Sequence, residues 1–206
     1  MRSSVLIAMM LLASATAHAD GVYYSEEIGA THVKDELAAH ESDTTLLRMR
    51  VAAGYRRGPL AYEIGLGMHL DAGELAYDGG GARGASLGAV DFSVKYLQPI
   101  ARHLELYVRG SASYGWADGA LADYAGRGLG FGAGIQLKGK GSVAGLLFWP
   151  LFFIIQKGPM MTAALFVDEG YEFYRLHPGG DLARSQSAVD AQLSHFTMGF
   201  ALGTDF

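Results

Sequence analysis

Long stretches of this chain alternate strictly between large apolar residues and small or polar ones, and that rhythm leaves few folds open to it. Leu47, Met49, Val51, Ala53 and Tyr55 alternate with Arg48, Arg50, Ala52, Gly54 and Arg56. Beyond a tight Arg57-Gly58-Pro59 turn, Leu60, Tyr62, Ile64, Leu66, Met68 and Leu70 alternate with Ala61, Glu63, Gly65, Gly67, His69 and Asp71. Segments 90–96, 104–116, 129–138 and 195–203 repeat the pattern. A period of two is that of a strand with one apolar face. These runs approach about 10 residues, the length of a strand that crosses a membrane. Strands of a globular sheet average roughly 5–6.

Adding an opening strand near 21–33 and a seventh near 160–176 brings the count to eight. The connections fall into two classes: short turns at 57–59 and 98–102, and longer stretches at 34–44, 72–85, 117–127 and 176–187, rich in Asp, Gly and Ala. Short periplasmic turns and long outer loops are the expected asymmetry of a transmembrane barrel, and an even count puts both termini in the periplasm. The opening strand is the weakest expectation, because Glu26-Glu27 interrupts its alternation.

The chemistry of the two faces separates a membrane barrel from a soluble one, whose apolar face would point inward. The polar face carries Arg48, Arg50, Glu63, Asp91, Lys95, Glu105, Arg109, Asp168 and Glu172 among many Gly, Ala and Ser. That is sparse for a solvated exterior, and small residues suit a narrow lumen. The apolar face is continuous and tipped with Tyr55, Tyr62, Tyr96, Tyr114 and Trp116, as expected of aromatic girdles at lipid–water boundaries. The fold class is therefore all-β: a transmembrane, antiparallel, up-and-down barrel of eight strands over residues 20–206.

The termini agree with this. Arg2, the apolar run 5–13 and Ala17-His18-Ala19 form a secretory signal over 1–19, too short to span a bilayer as a helix. At the other end Phe196, Met198, Phe200 and Leu202 share one parity, and the chain closes on Phe206. This resembles the C-terminal signal that the barrel-assembly machinery reads in bacterial outer-membrane barrels, with Thr204 departing from the pattern. The chain from residue 20 onward resembles the small eight-stranded outer-membrane barrels, such as the transmembrane domain of outer membrane protein A. The resemblance implies location in the outer membrane, outer-membrane lipid and the assembly machinery as partners, and a monomer. It rests on patterns rather than fixed residues, so it transfers no catalytic positions.

Charges inside a narrow barrel must pair, because an isolated buried charge is too costly. The nine inward charges are accordingly expected to form a salt-bridge network that fills the lumen. The alternative is a small gated pore for polar solutes, lined by Arg48, Arg50 and Arg109. A net charge of −5 gives no reason to expect a nucleic-acid partner. The chain has no Cys, and no HExxH, His-x-His or tight carboxylate cluster, so neither metal nor cofactor is expected.

A lipid-modifying outer-membrane enzyme ranks third. Such a deacylase would need a His-x-Ser pair on the lipid-facing wall, and no strand segment of the chain carries one. Ser194 and His195 are adjacent, which sends their side chains to opposite faces. His69 and His195 both read as inward. Gly128, Gly130, Gly132 and Gly134 share the inward parity of one strand. With no helix after them they are not a dinucleotide loop; they leave room for neighbours such as Tyr107, Arg109 or Phe166.

One segment does not fit the barrel. Residues 142–157, SVAGLLFWPLFFIIQK, fall where a short periplasmic turn would suffice. Pro150 argues against a regular strand, and Phe148, Trp149 and Phe152 suit a membrane interface. The segment reads as a kinked anchor in the inner leaflet, with a bent extension of the neighbouring strands as its rival. The function expected overall is structural or interactive, not catalytic, with any extracellular ligand held by the outer loops.

Overall fold

The computed structural model describes residues 20–34, 44–71, 86–118, 124–140, 161–179 and 188–204. Eight strands run through them in chain order: β1 (Asp20–Lys34), β2 (Thr44–Arg57), β3 (Leu60–Asp71), β4 (Ser86–Ala101), β5 (Leu104–Asp118), β6 (Tyr124–Lys140), β7 (Met161–Pro178) and β8 (Val189–Thr204). Each pairs antiparallel with the next, and β8 pairs with β1, so the sheet is a closed barrel without an edge.

The registers fix the geometry of closure. Stepping across paired residues from Val22 leads through Tyr55, Tyr62, Val94, Gly110, Phe131, Tyr171 and Ser194 and returns to β1 at His32. The circuit therefore climbs 32 − 22 = 10 residues along β1, a shear of ten. Strands of such a barrel tilt by roughly 40°, and the interior of eight is just wide enough for side chains to fill.

The β2–β3 hairpin turns on two residues, Gly58-Pro59, between the paired Arg57 and Leu60. Gly58 has φ +58°. Pro59 cannot take a positive φ, so the turn is type II′, whose twist matches that of the strands. The β4–β5 turn is tighter than the expected 98–102. Strand β4 continues to Ala101 through a register shift between Pro99 and Ala101, leaving Arg102 and His103 as the turn. Pro99 lacks a donor for the ladder, which is why the irregularity falls there. On the opposite end β5 reaches Asp118, β6 begins at Tyr124 and β7 extends to Pro178, each further than the loop-like composition suggested.

Strand β1 corrects the expectation of a broken alternation. It is regular, with Glu26 half-buried on the outer wall and Glu27 buried inside. The wall is otherwise apolar: Ile64 is 66 % exposed, Leu129 68 % and Met198 56 %. Tyr55 and Tyr62 pair beside the Gly58 turn, and Tyr114 and Trp116 lie near the far end of β5. Inside, two apolar clusters divide the lumen. One, at the loop end, includes Val33, Leu46, Leu87, Tyr174, Leu176 and Leu193. The other, at the turn end, comprises Tyr23, Ala61, Leu97, Tyr107, Ala164, Phe166 and Ala201.

Candidate functional site

Between those clusters lies a layer of ions. Parity places them: every second residue of each strand faces the axis, and closure brings residues from distant strands together. Glu27 on β1 is its hub. It accepts from Arg50 Nη1 at 2.6 Å and from Arg109 Nη1 at 3.1 Å, with Arg48 Nη2 at 3.9 Å. Arg50 also grips Asp91 with a two-pronged fork, Nε to Oδ2 at 2.9 Å and Nη2 to Oδ1 at 2.7 Å. Its Nη1 reaches Glu63 at 3.1 Å, so all three guanidinium nitrogens donate. Such bidentate, charge-assisted bonds are the strong class.

Glu63 is as crowded. Tyr23 donates to it at 2.8 Å and Ser93 at 3.1 Å, and Lys95 Nζ lies 2.7 Å away. Lys95 in turn sits 5.1 Å over the rings of both Tyr107 and Phe166, cation–π contacts that join the ions to the apolar floor. Arg109 Nη2 donates to Asp168 at 2.7 Å and lies 3.2 Å from His195 Nε2. Toward the loop end Arg48 donates to Glu172 at 2.9 Å, and Tyr174 donates to the same carboxylate at 3.1 Å. His69 Nε2 is 3.5 Å from Glu172, and its Nδ1 is 3.1 Å from Thr31 Oγ1.

A second cluster stands at the turn-end mouth. Arg56 donates to both oxygens of Glu105, at 2.8 and 3.0 Å, and Gln136 donates at 2.6 Å. Lys138 Nζ completes it at 2.7 Å. Among the described residues the two clusters hold six cations (Arg48, Arg50, Arg56, Lys95, Arg109, Lys138) and six carboxylates (Glu27, Glu63, Asp91, Glu105, Asp168, Glu172). These twelve side chains balance one another in charge. Beside the floor a gap of about 10 Å³ remains between Tyr23, Arg56, Lys95 and Phe166, no more than one water needs.

All nine charges expected on the inner face lie there, and each is in an ion pair. Sequence reasoning missed Glu27, Arg56, Lys138 and Tyr23. Parity held the signal for all four. Arg56 and Lys138 continue the inward register of β2 and β6, and the outward Val22, Tyr24 and Ile28 leave Glu27 pointing in. The glycine row on β6 leaves room for Tyr107, as expected, and for Tyr174. A Cβ at Gly134 would collide with Tyr107, and one at Gly128 would come within 2.6 Å of Tyr174. Phe166 lies instead against Gly199.

Three carboxylates among the described residues lie on the outer wall: Glu26, Glu169 and, near the loop end, Asp190. Glu26 accepts from Tyr24 OH at 2.5 Å. Glu169 is exposed at the middle of β7, eight residues from Met161 and nine from Pro178. Phe196 and Met198 are exposed on the same wall, with Phe200 and Leu202 half-buried. His195 is buried within the lumen while Ser194 is on the outer side. The signal over 1–19, the interfacial residues Phe148, Trp149, Pro150 and Phe152, and Phe206 lie outside the described residues.

The fold is that of the small eight-stranded outer-membrane barrels. Neisserial surface protein A matches with a TM-score of 0.57 at 13 % identity, over 90 % of this chain and 97 % of that one. Ail of Yersinia pestis matches at 0.47 with 12 % identity, over 89 % and 99 %. OprG from Pseudomonas aeruginosa matches at 0.42 with 12 % identity, over 92 % and 99 %. At such identities the likeness is one of fold. No family model and no curated protein matches the chain.

Proposed function

We propose that this chain is an outer-membrane β-barrel whose role is structural or one of surface interaction, with no catalytic step and no open pore. The observation that carries the reading is the filled lumen: among the described residues, an ion layer of matched charges lies between two apolar clusters. An ion entering it would have to break several buried pairs at once, and breaking even one costs about 3–5 kcal/mol. The wall supports location in a bilayer, since its exposed Ile, Leu, Phe and Met would form an apolar patch far larger than a soluble monomer tolerates.

Recognition would then fall to the connections at the loop end, since the long loops of such a barrel face the medium and are free to vary. The refolded protein in planar bilayers should show no discrete conductance steps. Reproducible steps of one size would transfer the function to a pore for polar solutes. In cells the protein should fractionate with the outer membrane; recovery in soluble periplasmic extract would refute the reading altogether.

A further inference from the structure

We propose that a groove on the outer wall, spanning β5 to β8 near the loop end, binds the phosphate and acyl chain of an anionic lipid. The proposal rests on the membrane reading above. The groove encloses about 810 Å³, within the range of small-molecule sites. Two cross-strand rows build it. The upper row reads Tyr114, Arg127, Arg175 and Asp190 across the four strands; the lower reads Ala112, Leu129, Phe173 and Gln192.

Arg127 and Arg175 are direct cross-strand partners, and both are exposed. Like charges placed opposite one another destabilise a sheet. Asp190 relieves little of this: its Oδ1 is 3.8 Å from Arg175 Nε, with both side chains more than two-thirds exposed. Arg127 has no ion pair among the described residues. The row thus offers two guanidinium forks with unused donors, the arrangement that grips phosphate oxygens bidentately.

What lies beneath selects a lipid rather than free phosphate. Leu129, 68 % exposed, and Phe173, 42 % exposed, form the floor one row nearer the middle of the barrel. The arginines stand three residues from the loop-end limits of β6 and β7, Tyr124 and Pro178. A phosphate at that depth, with its chain running down over Leu129 and Phe173, has the orientation of a lipid in the outer leaflet. Tyr114, in the same row, fits the boundary aromatic belt.

The test uses the refolded full chain in a neutral glycoside detergent, with lipid retention read by native mass spectrometry. Four probes are compared: dioleoyl phosphatidic acid, dioleoylglycerol, dioleoyl phosphatidylcholine and inorganic phosphate. Phosphatidic acid should be retained at least about ten-fold better than the diacylglycerol with the same chains, a difference of about 1.4 kcal/mol. The Arg127→Gln/Arg175→Gln variant should lose that preference, and Arg57→Gln at the turn end should keep it. If the double variant fails to refold, Arg127→Gln alone carries the test. Equal retention of phosphatidic acid by the variant would overturn the proposal. So would inorganic phosphate competing as strongly as the lipid, or an arginine-dependent dimer in place of lipid binding. Protein that inserts into liposomes but shows no preference refutes this site alone; protein that does not insert refutes the membrane reading.

Discussion

Glu26 and Glu27 are neighbours with the same side chain, and they inhabit opposite surroundings. Glu27 is 3 % exposed and meets three arginines contributed by β2 and β5. Glu26 is on the outer wall, where the hydroxyl of Tyr24 is its hydrogen-bond partner. On β7 the contrast recurs between Asp168, bonded to Arg109, and the exposed Glu169. One residue of strand separates a charge that is required from a charge that is only tolerated. The side of the wall, not the residue type, sets what a carboxylate does here.

The sharpest way to break that comparison is Glu27→Ala. It leaves Arg50 and Arg109 without their shared anion, and removing one partner of a buried pair costs about 3–5 kcal/mol. The urea midpoint of the refolded barrel should fall accordingly; a midpoint unchanged from the parent protein would mean the layer holds nothing together. Arg56→Ala should cost less, roughly 2 kcal/mol, since Glu105 keeps Lys138 and Gln136 at the mouth. Equilibrium unfolding of the two variants side by side gives the ranking, and the reverse order would dissolve the distinction between layer and mouth.

On the other side of the wall the sign reverses. Glu169→Leu should stabilise the barrel in lipid by about 1–2 kcal/mol, as acidic residues near the bilayer midplane cost somewhat less than the basic ones. Unfolding in phosphatidylcholine vesicles tests it. A loss of stability would show that Glu169 meets something other than lipid chains. The smallest effect belongs to Arg57→Ala, exposed beside the β2–β3 turn, which should stay within about 0.5 kcal/mol. A larger shift in its urea midpoint would show that exposed charges at the rim also support the barrel.

Face was readable from the chain, and partnership was not. Alternation assigns Arg48, Arg50, Glu63, Asp91, Lys95, Glu105, Arg109, Asp168 and Glu172 to one side with no knowledge of the fold, because side-chain direction is a local property of a strand. It could not say that Arg109 meets Glu27, 82 residues away. That meeting depends on the shear of ten, which is a property of the closed sheet and of no single segment. Glu26-Glu27 obscured β1 for a related reason: two carboxylates in succession satisfy either parity until the flanking Val22, Tyr24 and Ile28 are counted. Strand ends were also misplaced at 98–102 and 117–127, where Pro99 is absorbed by a bulge, Ala117-Asp118 by β5 and residues 124–127 by β6.

The seam between β1 and β8 gives the ion layer a role in time as well as in space. It joins the first described strand to the last, through pairs from Tyr23–Gly203 to Lys34–Gln192. While that seam is open the sheet is a trough, and water hydrates Glu27, Arg109 and His195 at no penalty. Zipping it dehydrates all of them in one act, and only the complete set of partners makes the dry state tolerable. A barrel closed in the wrong register would trap ions without mates. The layer therefore penalises every alignment of the cylinder except the one that mates all its ions.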